Sequence, residues 1–163
     1  MNELADKYGG NLAVLGFPCN QFGHQSSVNN AEFLNFLKYV RPGKGFEPAQ
    51  GVTIFEKCQV NGRNAAPAFK WMKSELVLPS DGQQDTQQNG CADFDALILP
   101  QERAAVLEGH EDSGMSLWMP VCRSDIAWNF EKFLFDQEGR PVKRYTRFFD
   151  TSAIAADIDK LLD

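Results

Sequence analysis

No two cysteines of this chain stand in a CxxC spacing, and its only histidines are His24 and His110. A structural zinc site needs closely set nitrogen and sulfur ligands, so no metal is assigned. Cys19, Cys58, Cys91 and Cys122 are widely spaced and read as reduced thiols of a cytosolic protein rather than a disulfide framework. An excess of positive charge is lacking as well. Sixteen Lys and Arg stand against 22 Asp and Glu, for a net charge of −6 and a pI near 4.9. That excludes nonspecific nucleic-acid binding, which needs a basic surface, but leaves room for a local basic pocket holding a small acidic ligand. No apolar run reaches the roughly 18 residues of a membrane span. The opening Met1-Asn2-Glu3-Leu4-Ala5-Asp6-Lys7 is polar and acidic, unlike a secretory signal. The expected compartment is the cytoplasm.

What is present suits one folded domain. The 163 residues are 43% hydrophobic and 12% aromatic, enough to bury a core. Residues 2–8 read as the last turns of a helix stopped by Gly9-Gly10. Leu12–Phe17 is a short apolar run, as expected of a strand buried on both faces, and Pro18 ends it. A polar loop follows over Cys19–Asn29. Asn30 can cap a helix through about Val40, with Phe33, Leu34, Leu37, Tyr39 and Val40 as its apolar positions. Pro42-Gly43 stops that helix. Val52–Val60 reads as extended, before an Asn61-Gly62 turn. Pro67 opens another helix, to about Leu76, whose buried side is Phe69, Trp71, Met72 and Leu76.

Ser80–Gly90 is rich in Gln, Asp and Gly and has no periodicity. With a helix expected at Gln101–Leu107, it belongs to a variable loop or insertion over about 79–118. Ile126–Phe135 reads as a strand, Gln137–Pro141 as a turn, Val142–Arg147 as the hairpin partner. Thr151 or Ser152 can cap a last helix over Ala153–Leu162. The order is α/β with an antiparallel element late in the chain.

Two segments carry the chemistry. Leu15–Gln25 reads Leu-Gly-Phe-Pro-Cys-Asn-Gln-Phe-Gly-His-Gln, and Ala127–Leu134 reads Ala-Trp-Asn-Phe-Glu-Lys-Phe-Leu. Together they resemble the signatures of the glutathione peroxidase family. Lys38–Gly43, Phe55–Cys58, Val60–Gly62, Pro120–Arg123 and the stretch with Gly139, Pro141, Arg144 and Tyr145 extend the match. It spans almost the whole chain except about residues 80–116.

The resemblance implies a thioredoxin-like fold: one domain over residues 1–163, without the N-terminal strand or strands and the start of the first helix. It also implies an antioxidant oxidoreductase, selenoprotein-like, that serves the oxidative stress response. Such an enzyme reduces hydrogen peroxide or organic hydroperoxides with glutathione, which is the reducing co-substrate, and no cofactor is expected. Family members combine a selenocysteine or cysteine with Gln, Trp and Asn, which fall here on Gln21, Trp128 and Asn129. Their amide and indole N–H groups are uncharged donors that can steady an anionic nucleophile and a departing oxygen. If Ile126–Phe135 were a regular strand, Trp128 and Asn129 would face opposite ways, and a bulge or the strand's start would be needed to bring both to one site. Glutathione's carboxylates call for guanidinium groups, and by resemblance the candidates are Arg41, Arg144 and Arg147. Two departures weigh on that subsite: Arg147-Phe148 stands where many tetrameric members have paired arginines, and Lys143 precedes Arg144.

Cys19 lies in the signature loop, at a position that is not peroxidatic in the family. Ala31–Val40 lacks the resolving cysteine of thioredoxin-dependent members, so the chain resembles the glutathione-using branch. By resemblance the nucleophile lies about ten residues before Met1, at a helix N-terminus that lowers its pKa. A gene model begun at the first Met after an in-frame UGA is the expected explanation. The chain as it stands is then expected to be inactive and of low stability, with an association-prone edge at Leu12–Phe17. The alternatives are an inactive short relative that serves as a binding or regulatory module, and a peroxidase using Cys19. Small soluble peroxides are the expected substrates, and a homotetramer is plausible by resemblance.

Overall fold

The computed structural model of the chain describes residues 1–81 and 118–162. The variable loop expected at about 79–118 falls almost wholly outside them, as do Cys91, His110 and the helix expected at Gln101–Leu107. Contacts among the described residues gather into two compact units. One holds residues 1–20, 24–58 and 150–162; the other holds 21–23, 59–81 and 118–149.

In the first unit, helix α1 (Asn2–Tyr8) buries Leu4 and Ala5 and ends at Gly9, whose φ of 53° suits the residue without a Cβ. The Asn2 side chain fixes its start, donating to the Glu47 carbonyl at 2.8 Å and accepting from the Ala49 N–H at 3.1 Å. A 3₁₀ turn, Gly9–Asn11, leads to strand β1 (Val14–Gly16), shorter than the sequence suggests. It pairs in parallel with β2 (Val52–Ile54), Val14 beside Val52, Leu15 beside Thr53 and Gly16 beside Ile54. Burial on both faces does not hold for this strand. Leu15 is 52% exposed and its neighbour Thr53 is exposed too, because alternate residues face opposite ways and only the Val14–Gly16 side is half-covered.

Helix α2 (Asn30–Tyr39) is capped one residue earlier than expected. Asn29 accepts from the Glu32 N–H at 3.0 Å, while the Asn30 side chain accepts from the Lys57 N–H at 2.9 Å. Its apolar positions are not a buried stripe: Leu34, Tyr39 and Val40 are exposed and Phe33 and Leu37 half-buried. The last helix is likewise offset. Asp150, not Thr151 or Ser152, caps a 3₁₀ turn (Thr151–Ile154), and α4 (Ala155–Leu162) continues from it. Tyr8 ties α1 to α4, its hydroxyl donating toward the Ala155 carbonyl at 2.8 Å and the Asp159 carboxylate at 2.6 Å.

The second unit contains α3 (Pro67–Glu75), with proline where the helix needs no N–H. Its buried residues are Phe69, Met72 and Lys73. Trp71 is instead partly exposed, its ring 5.9 Å from that of Phe135, and Leu76 is half-buried just past the helix end. Strands β3 (Lys132–Phe135) and β4 (Pro141–Tyr145) form an antiparallel hairpin. The Asp136 carboxylate closes its turn by accepting from the N–H groups of Glu138 and Arg140. The strand expected from Ile126 therefore starts six residues late, and the intervening chain bends instead.

Candidate active site

Gln21 opens a turn over residues 21–24 in which Gly23 and His24 both take positive φ, 62° and 51°. Its side chain is buried and bound at both ends. Oε1 accepts from the N–H groups of Val60 and Asn61 at 2.8 and 3.0 Å, and Nε2 donates to the Asn61 carbonyl at 3.1 Å. Two donors on one atom and an acceptor on the other leave the amide a single orientation.

Asn61 extends this arrangement and is fully buried, at 0% exposure. Its Nδ2 donates to the Ile126 carbonyl at 2.8 Å, and its Oδ1 accepts from the Ile126 N–H at 2.9 Å and Lys73 Nζ at 3.0 Å. Lys73 is itself buried and pairs with Asp125 at 2.8 Å. The other Asp125 oxygen accepts from the Trp118 indole and the Cys122 N–H at 2.8 and 2.7 Å. A buried ammonium is tolerable only when paired and hydrogen-bonded in this way. Gly62, with φ 78°, completes the corner: a Cβ there would stand 2.8 Å from that of Trp118. The sequence shows Asn61-Gly62 as a turn but gives no sign of its partners 65 residues on. Lys73 had a signal, since it lies one turn after Phe69 on the face that α3 buries.

Trp128 meets the Gln21 turn through Phe22. That ring lies 5.7 Å from Trp128 and 5.6 Å, edge-on, from Trp118. Trp128 and Asn129 stand in a bend and turn, and Phe130 follows with a φ of 68°. The opposite-face argument for a regular strand therefore does not apply to them. Glu131 closes the bend by accepting from the Ala127 N–H.

Arg144 holds Glu131 in turn. Only 1% exposed, it donates Nε–H to Glu131 at 2.8 Å and its remaining N–H groups to the carbonyls of Leu76, Val77, Ser124 and Asp125. Its fork faces inward, where it sets the Trp128–Asn129 bend rather than an outer carboxylate subsite. Burial pushes the Glu131 carboxyl up, with Arg144 opposing that rise. The Arg147 guanidinium lies over aromatic rings, 5.6 Å from Trp128 and 4.4 Å from Phe148. Arg41 lies in the other unit, exposed, just past α2.

A cavity of about 210 Å³ opens beside Lys73 and Asp125, lined also by Gly62, Lys70 and Cys122. Gln21, Trp128 and Asn129 do not line it. Among the described residues no three His, Cys, Asp or Glu side chains gather as a metal site, and no helix is long and apolar enough to cross a membrane. Cys19, Cys58 and Cys122 are thiols.

The family profile for glutathione peroxidase matches residues 1–73. Glutathione peroxidase 1 of Mus musculus is 48% identical over 163 residues, covering 99% of this chain and 69% of that one. Glutathione peroxidase 2 of Sapajus apella is 44% identical over 162 residues, covering 99% and 72%. A glutathione peroxidase of Molluscum contagiosum virus subtype 1 is 45% identical, over 99% of this chain and 63% of its own length. Among solved structures, the crystal structure of Trgpx in apo form superposes with a TM-score of 0.50 at 23% identity, covering 98% of this chain and 63% of that one. Helices and strands in this order are the mixed architecture of the thioredoxin-like fold. With 48% identity sustained along 99% of its residues, the chain belongs to the glutathione peroxidase family.

Proposed function

We propose that the protein reduces hydrogen peroxide or organic hydroperoxides with glutathione, Gln21, Trp128 and Asn129 serving a selenolate or thiolate contributed by sequence upstream of Met1. The observation that supports this reading is the Phe22 ring, which stands next to Gln21 in the chain and lies 5.7 Å from the ring of Trp128, the residue before Asn129. The nucleophile attacks one peroxide oxygen, the O–O bond breaks and water or an alcohol leaves. One glutathione thiol then condenses with the oxidised nucleophile, releasing water. A second displaces it, yielding glutathione disulfide and the original anion. Uncharged donors suit both halves, because they stabilise the anion without titrating near neutral pH.

Arg147, its guanidinium 5.6 Å from the Trp128 ring centre, is the one that this reading puts beside the bound thiol, with Arg41 as a second candidate for a glutathione carboxylate. Arg144, facing inward, acts through Glu131 and the bend. The reading assigns the protein to the cytoplasm and makes a homotetramer the assembly to look for by light scattering.

The test is a glutathione reductase-coupled assay on the product of the native transcript, beside the 163-residue chain. Activity in the former, lowered about 10²–10³-fold by Trp128→Phe or Gln21→Ala, supports the reading. Activity in the 163-residue chain that Cys19→Ser abolishes would move the nucleophile to Cys19. Absence of activity in both would favour a binding or regulatory module.

A further inference from the structure

Backbone bonding between the chain segments that carry Cys19 and Cys58 runs on just beyond β1 and β2. The parallel ladder continues past Gly16 and Ile54 with a bond from the Phe55 N–H to the Gly16 carbonyl, 2.8 Å. In a parallel pair this bond sets a residue beside the one that follows its acceptor. Phe55 accordingly stands beside Phe17, and their rings stack with centroids 4.6 Å apart. The next bond of the same kind runs from the Cys58 N–H to the Pro18 carbonyl, 3.0 Å. By the same geometry it sets Cys58 beside Cys19.

The step from residue 17 to 19 is two and from 55 to 58 is three, so the second segment carries one bulged residue. Neighbouring strands lie about 4.8 Å apart, and lateral neighbours project to one face. That spacing falls inside the ~4.4–6.8 Å between Cα atoms that a disulfide can bridge. Both residues are thiols; Cys19 is buried and Cys58 half-buried, which makes Cys58 the entry point. Burial, and after it the charge of Cys19, push the Cys58 thiol up, which keeps its thiolate a minor species and makes its oxidation slow.

We propose that Cys19 and Cys58 form a dithiol site that hydroperoxides oxidise reversibly to a disulfide. The Cys58 thiolate attacks one peroxide oxygen, the O–O bond breaks, and the other oxygen leaves as water or alcohol. The sulfenic acid on Cys58 is then attacked by Cys19 sulfur. The S–S bond forms as the S–O bond breaks, and the oxygen leaves as water with the proton from Cys19. Two thiols lose two electrons, and one hydroperoxide gains them. In the chain, Cys19 precedes Gln21 by two residues and Cys58 precedes Val60 by two. The site is independent of the peroxidase reading, because it needs no nucleophile upstream.

The experiment uses the full chain, reduced, freed of reductant and titrated with hydrogen peroxide. Free thiols are alkylated before tryptic digestion and mass spectrometry. Cys19 falls in the peptide Tyr8–Lys38 and Cys58 in Cys58–Arg63. The expected product is these two peptides joined, a loss of two of the four thiols, and recovery of both with dithiothreitol. A Cys91→Ser, Cys122→Ser variant, which alters neither residue of the pair, should consume one equivalent of peroxide and give the same linkage. Linkage of either cysteine to Cys91 or Cys122 only, or stepwise oxidation of each to sulfinic acid without a cross-link, overturns the proposal. So does a double variant that keeps both thiols under peroxide.

Discussion

Asn61→Ala should cost the second unit about 3–5 kcal/mol of stability, as three lost bonds in a buried site imply. The side chain is at 0% exposure and makes those three bonds itself. Without it the Ile126 N–H and carbonyl lose their partner, and each such buried group left unpaired costs about 1–3 kcal/mol. Lys73 suffers less, because Asp125 still holds it at 2.8 Å. A water entering the space can restore some of the bonds, which keeps the total below the upper sum. Urea unfolding, followed by tryptophan fluorescence and by circular dichroism, reads the change. With a slope near 2 kcal/mol/M, the midpoint should fall by about 1.5–2.5 M at an unchanged slope. Asn61→Asp should recover part of the loss, since it keeps the acceptor for Lys73 and Ile126 but sets an oxygen against the Ile126 carbonyl. A loss below about 1 kcal/mol for Asn61→Ala, with the slope unchanged, would refute the network as the tie between the Gln21 turn and the Trp128 segment.

Arg144→Met should destabilise by about 3–5 kcal/mol because it strands the Glu131 carboxylate, and adding Glu131→Gln should recover part of that in thermal or urea unfolding. The Glu131 carboxyl, raised by burial above its ordinary 4.5, binds protons in the folded state that the unfolded chain has already released. Its contribution is therefore fully present below pH 4.5 and lost as pH rises through the folded value, and Glu131→Gln should flatten that slope in a pH series of urea midpoints. Arg147→Ala in the active protein should raise KM for glutathione about tenfold with little change in kcat, as loss of uniform binding predicts. An equal drop in kcat would place Arg147 in the chemical step instead.

Much of the frame was legible because its signals are local. Gly9 after an apolar-polar helix tail, Pro67 at a helix start and the Asp136–Arg140 turn between β3 and β4 each act through near neighbours. Caps were misread by a residue where two candidates adjoin: Asn29 and Asn30 both have the right side chain, and only the distant Lys57 N–H draws Asn30 away. The bend at Trp128–Phe130 was not legible, since Phe130 carries no turn chemistry yet takes φ 68° and leaves its ring 77% exposed. Its cause lies in Glu131 and Arg144, thirteen residues apart in the chain. Arg144 looked like a ligand for glutathione because arginine in a motif suggests an anion outside. Its carbonyl partners at Leu76, Val77, Ser124 and Asp125 come from two stretches of chain that sequence spacing does not bring together. Gln21 was legible as a residue that matters, but not the backbone that holds its amide.

The two ties that orient this amide have a kinetic meaning. Gln21 to Val60 and Asn61 closes a segment of 39 or 40 residues, and Asn61 to Ile126 closes one of 65. Closing loops of those lengths costs roughly 3–4 kcal/mol each in chain entropy before any bond repays it. Helices such as α1 and α2 need only near neighbours and can form early, whereas the Gln21–Asn61–Ile126 network forms only after both closures. During synthesis Gln21 would therefore wait, its amide in water, until more than a hundred further residues had left the ribosome. Assembly of this network is in this sense one of the last events of folding, and its recovery after denaturation should lag behind recovery of helix.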